Sequence, residues 1–240
     1  MTKLAIVSGG SRGLGAALCD VFVEQGFELI ELSRAAPYAT SVRVDFAQPE
    51  AACAALRAAI AATLDRIGAA SLDEVIVVAN AAMLEPVGPT PRQGAAAIVR
   101  NLEVNLVAPI AFVAATVDAL QLVPARKVVL VVGSGAASNP HAGLSLYGAA
   151  KAGLEQYVRT LALEQACEPH PAIVATVDPG SLDTDMQREL RGAPAHDFPH
   201  VAEFAARHER GALRAARDAA AAIVRLARDA TLQGGERRRV

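Results

Sequence analysis

Tyr147 and Lys151 stand four residues apart in the run Tyr147-Gly-Ala-Ala-Lys151. Four residues is about one helical turn, so a helix here sets the phenol and the ammonium on one face. A free tyrosine, with a pKa near ~10, is a reluctant acid–base group at neutral pH. A nearby ammonium favours its phenolate, and about 3–4 kcal/mol of differential interaction moves the pKa by ~2–3 units. Close charges in a partly desolvated site can supply that. The chain holds three tyrosines and only three lysines, Lys3, Lys127 and Lys151. Chance then gives roughly 0.04 such pairs, so the spacing reads as a proton-transfer device.

The second chemically pointed feature is the turn Ser8-Gly9-Gly10-Ser11-Arg12-Gly13-Leu14-Gly15. Glycines let a backbone turn tightly and approach a pyrophosphate, which then sits at the positive end of the following helix. The turn lies between an apolar strand, Leu4 to Val7, and a helix expected over 13–25. That placement makes the reading far stronger than a glycine-rich turn alone. No comparable signal speaks for metal. Cys19, Cys53 and Cys167 lack paired spacing, and His196, His200 and His208 lack ligand spacing.

Alternating strands and helices must carry both features. Strands are expected at 27–32, 42–45, 75–79, 127–132 and 173–177, with helices at 49–67, 93–122, 145–167 and 214–228. Continuous apolar runs such as Val75-Ile76-Val77-Val78-Ala79 belong to strands buried on both faces. The alternation implies a three-layer α/β fold: a Rossmann-type, doubly wound parallel sheet of about seven strands with helices on both faces. No repeat or linker divides residues 1–240. Residues 182–211, with Gly192, Pro194 and Pro199, break the rhythm and read as a substrate lid. The terminal Arg237-Arg238-Arg239 reads as a solvated tail.

Composition narrows the class. Of the 240 residues 52% are hydrophobic and 20% charged, which excludes a disordered chain. A net charge of −2 gives no reason to expect nucleic acid or an anionic membrane as partner, and 4% aromatics without tryptophan argue against base stacking. No apolar stretch is expected to reach the ~18 residues that span a bilayer, and no signal peptide is read at Met1-Thr2-Lys3. The chain is expected to be soluble and cytoplasmic.

The glycine spacing, Gly9-xxx-Gly13-x-Gly15, together with Tyr147 and Lys151, resembles the short-chain dehydrogenase/reductase family. Further segments match in order: Asp45-Phe46, which resembles the pair flanking the adenine; Asn80-Ala81-Ala82, where the family has Asn-Ala-Gly; and Pro179-Gly180 with Thr184, which resembles the nicotinamide-carboxamide site. The resemblance implies an NAD(P)-dependent oxidoreductase acting on alcohol and carbonyl groups. Its cofactor residues would be Gly9, Ser11, Arg12, Gly13, Leu14, Gly15, Ser33, Arg34, Asp45, Phe46, Asn80, Ala81, Tyr147, Lys151, Pro179, Gly180, Leu182 and Thr184. Its catalytic group would be Tyr147 as proton donor and Lys151 holding the ribose and lowering the tyrosine pKa. Ser134, thirteen residues before the tyrosine, would polarise the carbonyl oxygen, and Asn105 would support a proton relay to the lysine.

Where an NAD site usually offers a carboxylate to the ribose 2′-hydroxyl, this chain reads Ser33-Arg34, with Arg12 in the turn as a second guanidinium. Two bidentate cations suit a 2′-phosphate, so NADPH is expected over NADH. The stretch Leu182-Asp-Thr-Asp-Met-Gln187 resembles the sepiapterin reductase and benzil reductase branch, whose members reduce carbonyls, often vicinal dicarbonyls, with NADPH. The implied substrate is a small ketone or dicarbonyl. The alternatives are a 3-oxoacyl thioester reductase, an alcohol dehydrogenase of the same family, or a non-catalytic dinucleotide-binding protein. Family members commonly form homodimers or homotetramers through two long helices, here about 93–122 and 145–167.

Overall fold

The computed structural model describes residues 2–240. Seven parallel strands form one sheet in the order β3-β2-β1-β4-β5-β6-β7. These are β1 (Thr2–Ser8), β2 (Glu28–Ser33), β3 (Ser41–Arg43), β4 (Leu72–Ala79), β5 (Arg126–Val132), β6 (Ala172–Asp178) and β7 (Arg237–Arg239). The helices are α1 (Gly13–Glu24), α2 (Pro49–Ile67), α3 (Ala95–Leu102), α4 (Ala108–Leu120), α5 (Ser145–Gln165), α6 (Asp185–Gly192), α7 (Val201–Glu209) and α8 (Ala216–Ala227). Chain order reverses between β1 and β4, and that switch point opens a crevice at the carboxyl ends of the strands.

The central strands are apolar along their whole length because each is covered on both sides. Leu4, Ile6, Val75 and Val77 face the layer of α2, α4 and α5. Ala5, Val7, Ile76 and Val78 face the layer of α1 and α8. Alternate residues of one strand thus enter opposite cores.

Two expectations are corrected. The terminal arginines are not a solvated tail: Arg237–Arg239 form the edge strand β7, in register with Thr176–Asp178. Three arginines give no apolar period, so main-chain pairing, which does not depend on side chain, decides the strand. The run 95–120 is, by length and composition, apolar enough to cross a membrane, with mean hydropathy 1.5, against the expectation that no stretch is. Part of this run enters the protein core, where Phe112, Val113, Thr116 and Leu120 are buried beside α2 and α5, while Val99 and Val107 stay exposed.

The helix expected over 93–122 is also less regular than its sequence. A wide π-helical turn at Glu103–Val107 separates α3 from α4, and buried Asn105 sits inside it. Such turns redirect a side chain out of the helical repeat.

Candidate active site

A cavity of about 940 Å³ lies over the carboxyl ends of the strands. Its size is at the upper end for small-molecule and cofactor sites. One end is the glycine turn. Gly9 (φ +74°) and Gly13 (φ +55°) take left-handed backbone. A Cβ on Gly15 would lie 2.0 Å from the Gly9 carbonyl oxygen, so only glycine lets α1 pack this close to the turn. Arg12, the residue before α1, is extended and provides no side-chain cap, and no acidic residue occupies the first turn. The amides opening α1 therefore meet the cavity with no carboxylate of their own, the arrangement that receives a phosphate.

Gly9, Ser11, Arg12, Gly13 and Leu14 all line this end. Gly15 lies behind it as packing. Ser33, Arg34, Asp45 and Phe46 form the adjoining wall at the ends of β2 and β3. Glu31 is turned away and fully buried, one oxygen accepting from the Gly10 amide at 2.9 Å and the other from Ser41 Oγ at 2.5 Å. No carboxylate from β2 is thus free to face the wall where Arg12 and Arg34 stand. Asn80 ties the turn to β4, its Nδ2 donating to the carbonyls of Ser8 (3.2 Å) and Gly9 (3.1 Å). Ala82, which departs from the family's glycine, keeps a negative φ, so its methyl causes no backbone strain.

Toward the other end, Ser134, Tyr147 and Lys151 share the wall. Ser134 lies just past β5, and its Oγ accepts from the Ala136 amide at 3.2 Å. Tyr147 and Lys151 project from the first turns of α5, where the lysine Nζ lies 5.6 Å from the tyrosine ring centre. Lys151 Nζ donates to the Val132 carbonyl at 2.8 Å. Burial pushes the Tyr147 pKa up to about 12, the neighbouring Ser134 hydroxyl works against that rise and the charge of Asp178 adds to it; Tyr147 Oη itself lies 4.0 Å from Met186 Sδ. Burial pulls Lys151 down to about 8. Loss of water around the phenol is the largest influence on it in this arrangement. The result is a neutral phenol, able to donate a proton, beside a cation that titrates near neutrality.

Asn105 does not line the cavity. Its amide spans one residue, Oδ1 accepting from the Met83 amide (2.9 Å) and Nδ2 donating to the Met83 carbonyl (2.8 Å). It braces the loop after β4, which carries Ala81 and Ala82 on the cavity wall. Pro179, Gly180, Leu182 and Thr184 line the side opposite the glycine turn, and the Thr184 methyl lies 3.4 Å from where a Gly13 Cβ would stand. Among the described residues no group of three or more His, Cys, Asp or Glu gathers to hold a metal ion.

The wall also holds residues beyond those that the family motifs name. Residues 182–211 fold into α6 and α7, and Leu190, Phe198 and Phe204 make a small core with Leu84, Leu144 and Tyr147. His141 lines the cavity with its ring 5.2 Å from His200 and 6.0 Å from Phe204. Gly143 (φ +89°) is where this segment docks, since a Cβ there would lie 2.2 Å from the Asp197 carbonyl oxygen. Asp178, Arg237 and Arg239 line the wall as well. The Asp before Pro179 was a visible signal; the arginines, about sixty residues on, carried none.

A parallel sheet with a glycine turn at its switch point, opening on a buried Tyr–Lys pair, defines a dinucleotide-type oxidoreductase fold and site. The family model for short chain dehydrogenases matches residues 3–195, and the chain belongs to that family. Benzil reductase ((S)-benzoin forming) of Bacillus subtilis (strain 168) is 30% identical over 217 residues, which is 88% of each chain. The solved structure of the KRED1-Pglu enzyme superposes with a TM-score of 0.83 at 27% identity, covering 99% of this chain and all of that one. A short chain dehydrogenase from Burkholderia cenocepacia J2315, solved in complex with NADP, gives 0.73 at 27% identity over 99% and 96% of the two chains. The chain is thus an oxidoreductase of a family that uses NAD or NADP, with benzil reductases among its relatives.

Proposed function

We propose that this chain is an NADPH-dependent carbonyl reductase of small ketones, vicinal dicarbonyls above all, with Tyr147 as the acid. One observation carries the reading: a neutral, buried Tyr147 shares a cavity wall with Ser134 and Lys151, and that wall is continuous with the glycine turn. The kinship with benzil reductase supports the dicarbonyl class.

The walls suit a dinucleotide. Gly9, Gly13 and the uncapped start of α1 offer amides to a pyrophosphate, while Arg34 and Arg12, the latter at 3.5 Å from Asp185 Oδ2, offer guanidinium groups to a 2′-phosphate. With Glu31 buried and both its oxygens engaged, the charge of that end favours NADPH over NADH. Asp45, Phe46, Asn80 and Ala81 would flank the nucleoside, and Pro179, Gly180, Leu182 and Thr184 the nicotinamide. When bound, the reduced nicotinamide supplies a hydride to the carbonyl carbon.

The remaining chemistry belongs to the chain. Ser134 hydrogen-bonds the carbonyl oxygen as negative charge grows there. Tyr147 Oη donates its proton to that oxygen, and Ser134 stabilises the phenolate left behind. Lys151 holds the ribose and returns a proton toward Tyr147, with Asn105 supporting the relay through its grip on Met83. Residues 182–211 act as the lid of a single 240-residue NAD(P)-binding unit. The enzyme is read as cytoplasmic and as a homodimer or homotetramer.

The test is NADPH oxidation with benzil and a panel of diketones, ketones, quinones, pterins and acetoacetyl thioesters. Diketone reduction with kcat/KM higher for NADPH than NADH is expected, and Tyr147→Phe should lower turnover at least ~10²-fold, as loss of a general acid does. Near-wild-type turnover in that variant, or preference for NADH, would overturn the mechanism or the cofactor assignment respectively.

A further inference from the structure

Arg237 reaches partners on three other parts of the site from the last strand of the sheet. Its Nη2 donates to Asp178 Oδ2 at the end of β6 (2.9 Å) and to the main-chain oxygen of Ser134 (3.2 Å). Its Nη1 donates to Ser138 Oγ (3.2 Å), and its Nε lies 3.1 Å from Glu155 Oε1 on α5. The carboxylate side chains are nearly buried, Asp178 at 7% and Glu155 at 12% exposure. Two such carboxylates need a cation, since an unpaired buried charge is strongly unfavourable.

Each partner leads straight to a group that the reductase reading uses. The other oxygen of Asp178 accepts from the Gly180 amide at 2.9 Å and so shapes the Pro179–Gly180 turn. Glu155 lies one helical turn beyond Lys151, which lies one turn beyond Tyr147, so the three share a face of α5. Ser134 carries the hydroxyl beside Tyr147. Arg237 is not needed merely to seat β7, because main-chain bonds hold that strand: Thr176 N to Glu236 O at 2.8 Å and Val240 N to Asp178 O at 3.1 Å. Its neighbour Arg238 pairs with Glu236 instead and touches none of these groups.

We propose that Arg237 is a positioning residue of the reduction site, a single guanidinium that fixes the Ser134 loop, the Tyr147–Lys151 helix and the Asp178–Gly180 turn in one arrangement. This rests on the carbonyl reductase reading of the same wall. Arg237 also offsets the charge of Asp178, which bears on Tyr147. Losing the arginine therefore frees three segments and leaves Asp178 uncompensated beside the proton donor.

The experiment compares the full-length wild type with Arg237→Gln, Arg237→Lys, Asp178→Asn and the Arg237→Gln/Asp178→Asn double variant. Steady-state reduction of benzil by NADPH is measured with amide hydrogen exchange of each protein without ligand. A displacement of the reacting groups by even an ångström is worth up to ~10²-fold, so kcat of Arg237→Gln should fall about 10- to 100-fold while KM for NADPH moves much less. Arg237→Lys, retaining the charge, and the double variant, lacking the orphaned carboxylate, should each recover part of that loss. Exchange should quicken in Arg237→Gln within residues 133–138, 145–156 and 178–184 and stay unchanged in β1 and β4. Wild-type kcat with unchanged exchange would overturn the proposal, as would quickening spread evenly over the whole sheet, or a double variant no better than Arg237→Gln. If the wild type itself reduces no diketone, the reductase reading fails, and the exchange pattern alone decides whether Arg237 holds the three segments together.

Discussion

Tyr147 and Lys151 lie one helical turn apart near α6 and α7, and burial moves both away from their charged forms, the phenol up to about 12 and the ammonium down to about 8. Through the neutral range the tyrosine keeps its proton, as the proposed acid must. The lysine is charged below pH 8 and becomes a neutral amine as pH rises through that value, because desolvation favours the uncharged form. If its ammonium holds the ribose, kcat/KM for NADPH is expected to fall above pH about 8, by tenfold per pH unit at the limit for a single proton. A Lys151→Arg variant should be slower at every pH yet lose that alkaline fall, since arginine stays charged. A pH profile of kcat/KM checks both, and a flat wild-type profile to pH 10 would contradict the assignment. The same scale explains why Asn105 was only half legible. The family resemblance flagged it, yet its amide turns to Met83 from within a π-helical turn.

At the scale of elements, α6 and α7 form a cover whose apolar residues pack on the site and away from the main cores. Phe198 is fully buried and meets Phe204 edge to face at 5.0 Å, while Leu190 completes the cluster around Tyr147. The base of this cover is closed by main-chain bonds between Ser181–Asp183 and Arg214, including Arg214 N to Ser181 O at 3.0 Å. Removing a buried phenylalanine costs about 3–5 kcal/mol where the surroundings must stay folded. For Phe198→Ala the cover can open locally instead, so global stability should fall by less than in Phe112→Ala of the main core, while KM for the diketone rises about tenfold. Thermal unfolding and steady-state kinetics on the two variants read this directly. An unchanged KM in Phe198→Ala would argue against a lid.

Over the whole molecule, the sheet buries both faces of its central strands, and exposed large apolar side chains remain on the 95–120 run, just past it at Leu122, on α5 and, at Val23, on α1. Val99, Val107 and Leu163 are exposed there, at 53%, 46% and 73%. Exposed apolar side chains gain by association. The purified chain is therefore expected to run as two or four copies in light scattering coupled to size exclusion. Val107→Asp should shift it toward the single chain, and a monomer at micromolar wild type would refute the assembly.

The amino-acid order by itself determined what is local. Continuous apolar runs mark strands covered on both faces, glycines at 9, 13 and 15 mark a turn that no side chain could enter, and four-residue spacing sets Tyr147 beside Lys151. These signals lie within a few residues of one another, so backbone geometry alone makes them readable. Tertiary structure decided what depends on partners far along the chain. It turned Arg237–Arg239 from an apparent tail into the seventh strand, set Arg237 against Asp178 and Glu155, and turned Glu31 into the core beneath Gly10. It also buried the Tyr147 phenol, which raises its pKa. Charge pairing over such separations and the loss of water around a group are set by packing, which a residue's neighbours in sequence do not encode.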